Sequence, residues 1–90
     1  MEITYDAEKR ARTLAHRGVD FEDARVVFAG TTITVEDDRR DYGETRWQTF
    51  GTIDGRLVTL VWTPRGAARH IISMRKCNDR ERKKYGAELG

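Results

Sequence analysis

Alternation and helical spacing take turns along this chain. In MEITY, Ile3 and Tyr5 fall on one face of a first short strand. Asp6 follows as a helix N-cap, Ala7, Ala11, Leu14 and Ala15 recur at helical spacing, and Gly18 offers a left-handed exit, which predicts a first helix. Asp20 and Asp23 stand at capping-box spacing with Asp in place of the usual Glu or Gln, and Phe21, Ala24, Val27 and Phe28 line one face of a short second helix before Gly30. The period then drops from about 3.6 residues to about 2. TTITVEDD is β-branched, with Ile33 and Val35 on one side, and runs into the polar loop EDDRRDYGE. Two β-rich runs surround Asp54-Gly55, a dipeptide that favours a type I′ hairpin turn. Val58, Leu60 and Trp62 share a face of the second run, and Pro64, lacking an amide donor, is expected to end it. AARHIISMR is the last strand, reached through a tight turn near Arg65-Gly66. Asn78 and Glu81 form a capping box for a short basic helix, with Lys83 and Lys84 suited to the far end of its dipole.

The predicted order is strand, helix, helix, three consecutive antiparallel strands and a basic helix. That is an α+β domain, its helices packed on one face of a small, mostly antiparallel sheet. With no internal repeat, linker or low-complexity stretch, residues 1–90 make one domain. Apolar residues are 38% and charged residues 36%, and the apolar ones fall in periodic segments, as in a small, highly charged globular domain. No apolar run approaches the roughly 18 residues of a membrane span. The N-terminus lacks the cationic start and apolar stretch of a signal peptide. Cys77 is alone and can staple nothing, so a reducing, cytoplasmic location is expected, without membrane contact. Cys77, His16 and His70 have no metal-ligand spacing, so neither a metal nor another cofactor is expected.

Charge changes the picture through its distribution. The 17 Lys and Arg against 15 Asp and Glu leave only +2. Yet residues 65–84 hold Arg65, Arg69, Arg75, Lys76, Arg80, Arg82, Lys83 and Lys84 against Asp79 and Glu81, a local excess of +6, so the remainder carries −4. Such segregation is either a solvated face or the footprint of an anionic partner such as nucleic acid. Strict alternation in the last strand sends Arg69, Ile71, Ser73 and Arg75 one way and His70, Ile72 and Met74 the other. If the first two helices cover the Met74 side, the other side presents a cationic sheet face. That face would serve single-stranded RNA, with Tyr85 as a stacking ring, or act only as a solubilising surface with local ion pairs to Asp79 and Glu81.

The segments YDAEKR, RGVDFEDARVVF (17–28), RRDYGETRW (39–47), GRLVTLVWTPRG (55–66) and RHIISMRKCNDRERKKY (69–85) together resemble the BrnT family, the toxins of BrnT/BrnA type II toxin–antitoxin systems, over nearly the whole chain. The resemblance implies a RelE-like fold and a metal-independent endoribonuclease that inhibits translation and growth. One departure is that many family members have Lys-His directly before the glycine that closes helix one, where this chain has His16-Arg17 before Gly18. His16 is therefore read as a helix-end cation or a hydrogen-bonding surface residue.

In such an enzyme the RNA 2′-hydroxyl attacks the adjacent phosphate, a base takes its proton, cations stabilise the phosphorane and an acid protonates the leaving oxygen. Arg75 is the first choice for the phosphorane, Arg65 and Arg69 for flanking phosphates, and Lys76 and Arg80 for RNA further along. Tyr85 stacks, donates a proton or merely packs. His70 is a general base or a half-buried, hydrogen-bonded histidine, and alternation places it away from Arg69 and Arg75. Glu44 and Arg46 form an ion pair tying the loop to the sheet, unless Arg46 meets RNA; Trp47 and Trp62 are expected in the core. The implied partner is a BrnA-like ribbon-helix-helix antitoxin in a 2:2 heterotetramer that reaches operator DNA only through the antitoxin. The competing reading is a non-catalytic RNA-binding or protein-docking module.

Overall fold

The computed structural model describes residues 1–89. Strand β1 (Glu2–Tyr5) leads into helix α1 (Ala7–Arg17), a 3-10 turn (Phe21–Asp23) and helix α2 (Ala24–Ala29). Strands β2 (Ile33–Glu36), β3 (Trp47–Ile53), β4 (Arg56–Arg65) and β5 (Ala68–Lys76) follow, and helix α3 (Asp79–Leu89) closes the chain. The five strands form one sheet in the order β1-β5-β4-β3-β2, antiparallel except for the parallel pair of β1 with β5. This is the expected α+β class, with one strand more than the expected three after the helices. The addition is β2, four residues at the sheet edge, where Ile33 pairs with Phe50 and Glu36 with Trp47.

Local chemistry sets the boundaries. Asp6 Oδ1 accepts from the amides of Glu8 (2.9 Å) and Lys9 (3.0 Å), and Gly18, at φ 70°, donates to the Leu14 carbonyl. Asp20 caps the 3-10 turn through the Glu22 amide, and α2 starts only at Ala24. The expected capping box with Asp23 does not form, because Asp23 makes no side-chain capping bond. Asp54 (φ 51°) and Gly55 (φ 78°) make the hairpin turn between Ile53 and Arg56. Contrary to expectation, β4 runs through Pro64 to Arg65. The ladder with β3 ends at Trp47–Trp62, so the missing amide falls where β4 has no neighbour on that side.

The core lies between one face of the sheet and α2 with its preceding turn. Phe21, Ala24, Val27, Val58, Leu60, Ile71 and Met74 are buried there, with Phe28 and Trp62 packed at the margin. Ile71 and Met74 both belong to this core, which strict alternation forbids. The cause is a bulge: Val61 pairs with Ser73 but Trp62 pairs with Ile71, leaving Ile72 extra and reversing the parity of β5. A smaller cluster of Phe50, Leu57 and Cys77 sits on the opposite face, under Tyr85 and Leu89 of α3.

Candidate nucleic-acid interface

The bulge redistributes the expected site. Arg69 pairs with Pro64 on the core face, where its guanidinium lies 4.4 Å from the Phe28 ring centroid and 4.6 Å from that of Trp62. His70, Ser73 and Arg75 pair with Thr63, Val61 and Thr59, which alternate with core residues and therefore point to the second face. The expectation that Arg69 and Arg75 share a face is thus overturned, and so is the inference that His70 points away from Arg75. Nor is the second face fully open. α3 covers Phe50 and Leu57, and Thr59, Val61 and Thr63 are buried.

Its floor is polar and satisfied. Gln48 Nε2 donates to Thr59 Oγ1 (3.1 Å), and Thr63 Oγ1 donates to the Thr45 carbonyl (2.6 Å), which fastens loop 37–46 across this side of the sheet. Within that loop Asp37 is buried, taking two bonds from Arg39 (2.7 and 2.9 Å) and one from Tyr42 (3.3 Å). The expected Glu44–Arg46 ion pair is present at 3.1 Å, with Arg46 lying 4.0 Å above the Tyr42 ring. Trp62 packs against the core and donates its Nε1–H to Thr49 Oγ1 (2.8 Å).

His70 is half-buried at the β1 side of this face, its Nδ1 2.8 Å from Thr4 Oγ1. Burial first, then the positive charges of Arg65 and Lys9, hold its pKa below the ordinary histidine value, while Glu44 and Asp6 oppose the shift more weakly. Four charged side chains from three segments therefore converge electrostatically on one imidazole, and Lys9, on α1, was not among the residues picked from sequence.

At the other end of the face Arg75 is already engaged. Its Nη1 and Nη2 donate to both Glu81 oxygens at 2.7 and 2.9 Å. Glu81 also completes the Asn78 capping box, with both reciprocal bonds at 2.9 Å. The Arg75 guanidinium holds the Glu81 carboxyl below its ordinary pKa, together with the Asn78 amide, against burial. Tyr85 stacks on Phe50 at 4.2 Å, so that ring face is used in packing. Arg65 and Lys76 are exposed at opposite ends of the β4–β5 pair, and Arg80 is exposed on α3. Burial raises the Cys77 thiol pKa to about 11, which leaves it an inert core group.

Among the described residues no three His, Cys, Asp or Glu side chains gather where a metal ion could sit. No helix among them is long and apolar enough to cross a membrane. What the second face offers is a half-buried imidazole, its pKa lowered by burial and by the charges of Arg65 and Lys9, on a hydrogen-bonded floor. No curated protein matches the chain. The family described as "Ribonuclease toxin, BrnT, of type II toxin-antitoxin system" matches residues 5–81, and with most of its length so covered the chain belongs to that family of ribonuclease toxins.

Proposed function

We propose that this protein is a cytoplasmic, metal-independent endoribonuclease acting on single-stranded RNA, with His70 as the general base. The observation that carries the assignment is the His70 environment. A depressed pKa keeps the imidazole neutral near pH 7, and the tautomer in which Nδ1–H donates to Thr4 leaves the Nε2 lone pair free. Nε2 takes the proton of the attacking 2′-hydroxyl, the new O2′–P bond forms, the P–O5′ bond breaks, and solvent protonates the departing oxygen. Arg65 and Lys9, the cations whose charge acts most on His70, would balance phosphorane charge. Arg75 joins them only when phosphate displaces Glu81. Arg46 and Arg80 provide cations for flanking RNA, whereas Arg69, paired with Pro64, and Lys76, paired with the core residue Val58, belong to the other side of the sheet.

The test is cleavage of a labelled single-stranded RNA by the purified protein in EDTA. Products bearing 2′,3′-cyclic phosphate and 5′-hydroxyl ends are expected, and activity lost with chelator overturns the proposal. The acid limb of kcat/KM should fall below pH 6.5 and move upward in Arg65→Ala, because removing that cation relaxes the depression of the His70 pKa. The pairing of Arg75 with Glu81 favours a second reading, a non-catalytic RNA-binding module, which the same assay detects as RNA bound but intact.

The partner we propose is a BrnA-like antitoxin with a ribbon-helix-helix dimer that gathers two toxins into a 2:2 complex and alone contacts operator DNA. Light scattering on the co-purified pair checks the stoichiometry.

A further inference from the structure

Helix α1 buries no residue, so hydrophobic packing does not explain its placement. Polar tethers fix it instead. Arg10 donates to both Asp20 oxygens at 2.7 and 3.0 Å, and Arg17 Nη1 donates to the Met74 carbonyl at 3.2 Å. The second tether reaches the part of β5 beyond its pairing with β1, which stops at Ile71. Between α1 and this free edge lies a recess of about 420 Å³, bordered by Lys9, Arg12, His16 and Arg17 on the helix and by Ile72 and Ser73 at the bulge. The spacing 9, 12, 16 sets one helical face, spanning about 10 Å at about 1.5 Å per residue. No carboxylate borders the recess. Lys9 and His16 have no ion-pair partner among the described residues, and Arg12 has only Glu8, 4.0 Å away and almost fully exposed. Because Met74 directs its carbonyl to Arg17, strand geometry points its amide the same way, toward the helix.

We infer that this recess is a backbone-binding subsite for single-stranded RNA, taking the phosphates next to the scissile one along the row Lys9, Arg12, His16. The inference rests on the reading of His70 as the reacting centre, since Lys9 both borders the recess and lies within electrostatic reach of that imidazole. Two cations and an imidazole donor in a row, without interleaved acids, match a regularly spaced polyanion, and an acidic protein segment would place its charges irregularly along such a row. Ser73 Oγ adds a hydroxyl for a phosphate or 2′-hydroxyl at the floor.

The experiment compares wild type with an Arg12→Gln/His16→Gln double variant, its fold checked by circular dichroism, on a 12-nucleotide RNA, on a dinucleotide too short to reach Arg12 and His16, and on a 2′-O-methylated 12-mer that cannot be cleaved. Binding of the methylated 12-mer should weaken about tenfold, and the slope of log affinity against log salt should become shallower by about 0.7 for each phosphate no longer neutralised. The preference for 12-mer over dinucleotide in kcat/KM should fall by a similar factor, carried by KM. An unchanged affinity and salt slope in the variant overturns the subsite while leaving the nuclease reading intact. A wild type that cleaves neither RNA, yet binds the methylated one in an Arg12- and His16-dependent way, upholds the subsite and removes the nuclease reading. A variant that binds RNA as wild type but escapes its antitoxin makes the recess a protein contact and overturns the inference.

Discussion

The two faces of the sheet are built from the same strands and solve different problems. On the core face, Val58, Leu60, Ile71 and Met74 meet Phe21, Ala24 and Val27 with almost no exposed surface, and the few hydroxyls present, Thr34 and Thr49, bond to each other and to Trp62. On the second face the apolar cluster of Phe50, Leu57 and Cys77 is confined to the seat of α3, and the rest of the buried floor is Thr59, Val61 and Thr63, above which Gln48, Ser73, His70 and Arg75 remain accessible. Apolar burial at about 25 cal/mol per Å² makes the first face the source of stability. The second face pairs each buried hydroxyl, which avoids the cost of desolvation without contributing much. Most of the stability and the polar chemistry thus lie on opposite sides of one sheet, the apolar seat of α3 excepted.

That separation is easiest to break with one substitution on each face. Phe21→Ala empties a fully buried aromatic site and should cost about 3–5 kcal/mol in urea unfolding, a large share of what a small domain has. His70→Ala should leave the unfolding free energy within about 1 kcal/mol, since it removes one half-exposed bond to Thr4, while lowering kcat/KM by roughly 10²–10⁴. A His70→Ala protein that unfolds as readily as Phe21→Ala would show that the second face carries stability after all.

How much of this was legible beforehand depended on which interaction decided each feature. Local chemistry announced itself: Asp6, Gly18, Asp54-Gly55 and the Asn78–Glu81 box all behave as their sequence positions require. The Glu44–Arg46 pair and the core placement of Trp62 were legible for the same reason. The bulge was not. A strand of nine residues gives no local sign that Ile72 is unpaired, because the bulge is a property of the β4–β5 pairing, and one extra residue moved Arg69 to the wrong face. α3 misled differently. Its cations dominate the composition, but Tyr85 and Leu89, four residues apart, form the apolar stripe that seats it on Phe50 and Leu57. The Lys9, Arg12, His16 row was visible as helical spacing, yet a row of polar side chains on a helix reads as ordinary solvent-facing surface until the edge of β5 is placed beside it.

A smaller effect sharpens the contrast in packing density. A Cβ on Gly51 would stand 2.8 Å from Val27 Cγ1 and 3.3 Å from Thr32 Cγ2, so α2 approaches β3 as closely as a bare backbone permits. Gly51→Ala should therefore cost about 1–3 kcal/mol by overpacking, and adding Val27→Ala should make the double variant less costly than the sum of the two singles. Gly43, in the loop over the second face, has open space around it but φ 72°, so Gly43→Ala should cost only the backbone strain of about 1 kcal/mol. Equal losses for Gly51→Ala and Gly43→Ala, with no coupling to Val27, would show that the core face is no tighter than the loop.

The smallest expected change in stability is the most informative about the second face. Glu81→Gln keeps an oxygen for the Asn78 amide, so the helix cap survives, but it removes the charge that holds Arg75. The Arg75 side chain is 41% exposed, so the stability change at neutral pH should stay below about 1 kcal/mol. Because the folded-state pKa of Glu81 is depressed, its contribution is present above the ordinary carboxylate value and is lost as pH falls through the folded value. In Glu81→Gln that part of the acid destabilisation should disappear. The freed guanidinium gains a phosphate, so RNA affinity should rise several-fold and the salt slope should steepen by about 0.7. If affinity instead stays level, the Arg75–Glu81 pair is a strut for α3 alone, and the RNA surface ends at His70, Arg65 and the α1 row.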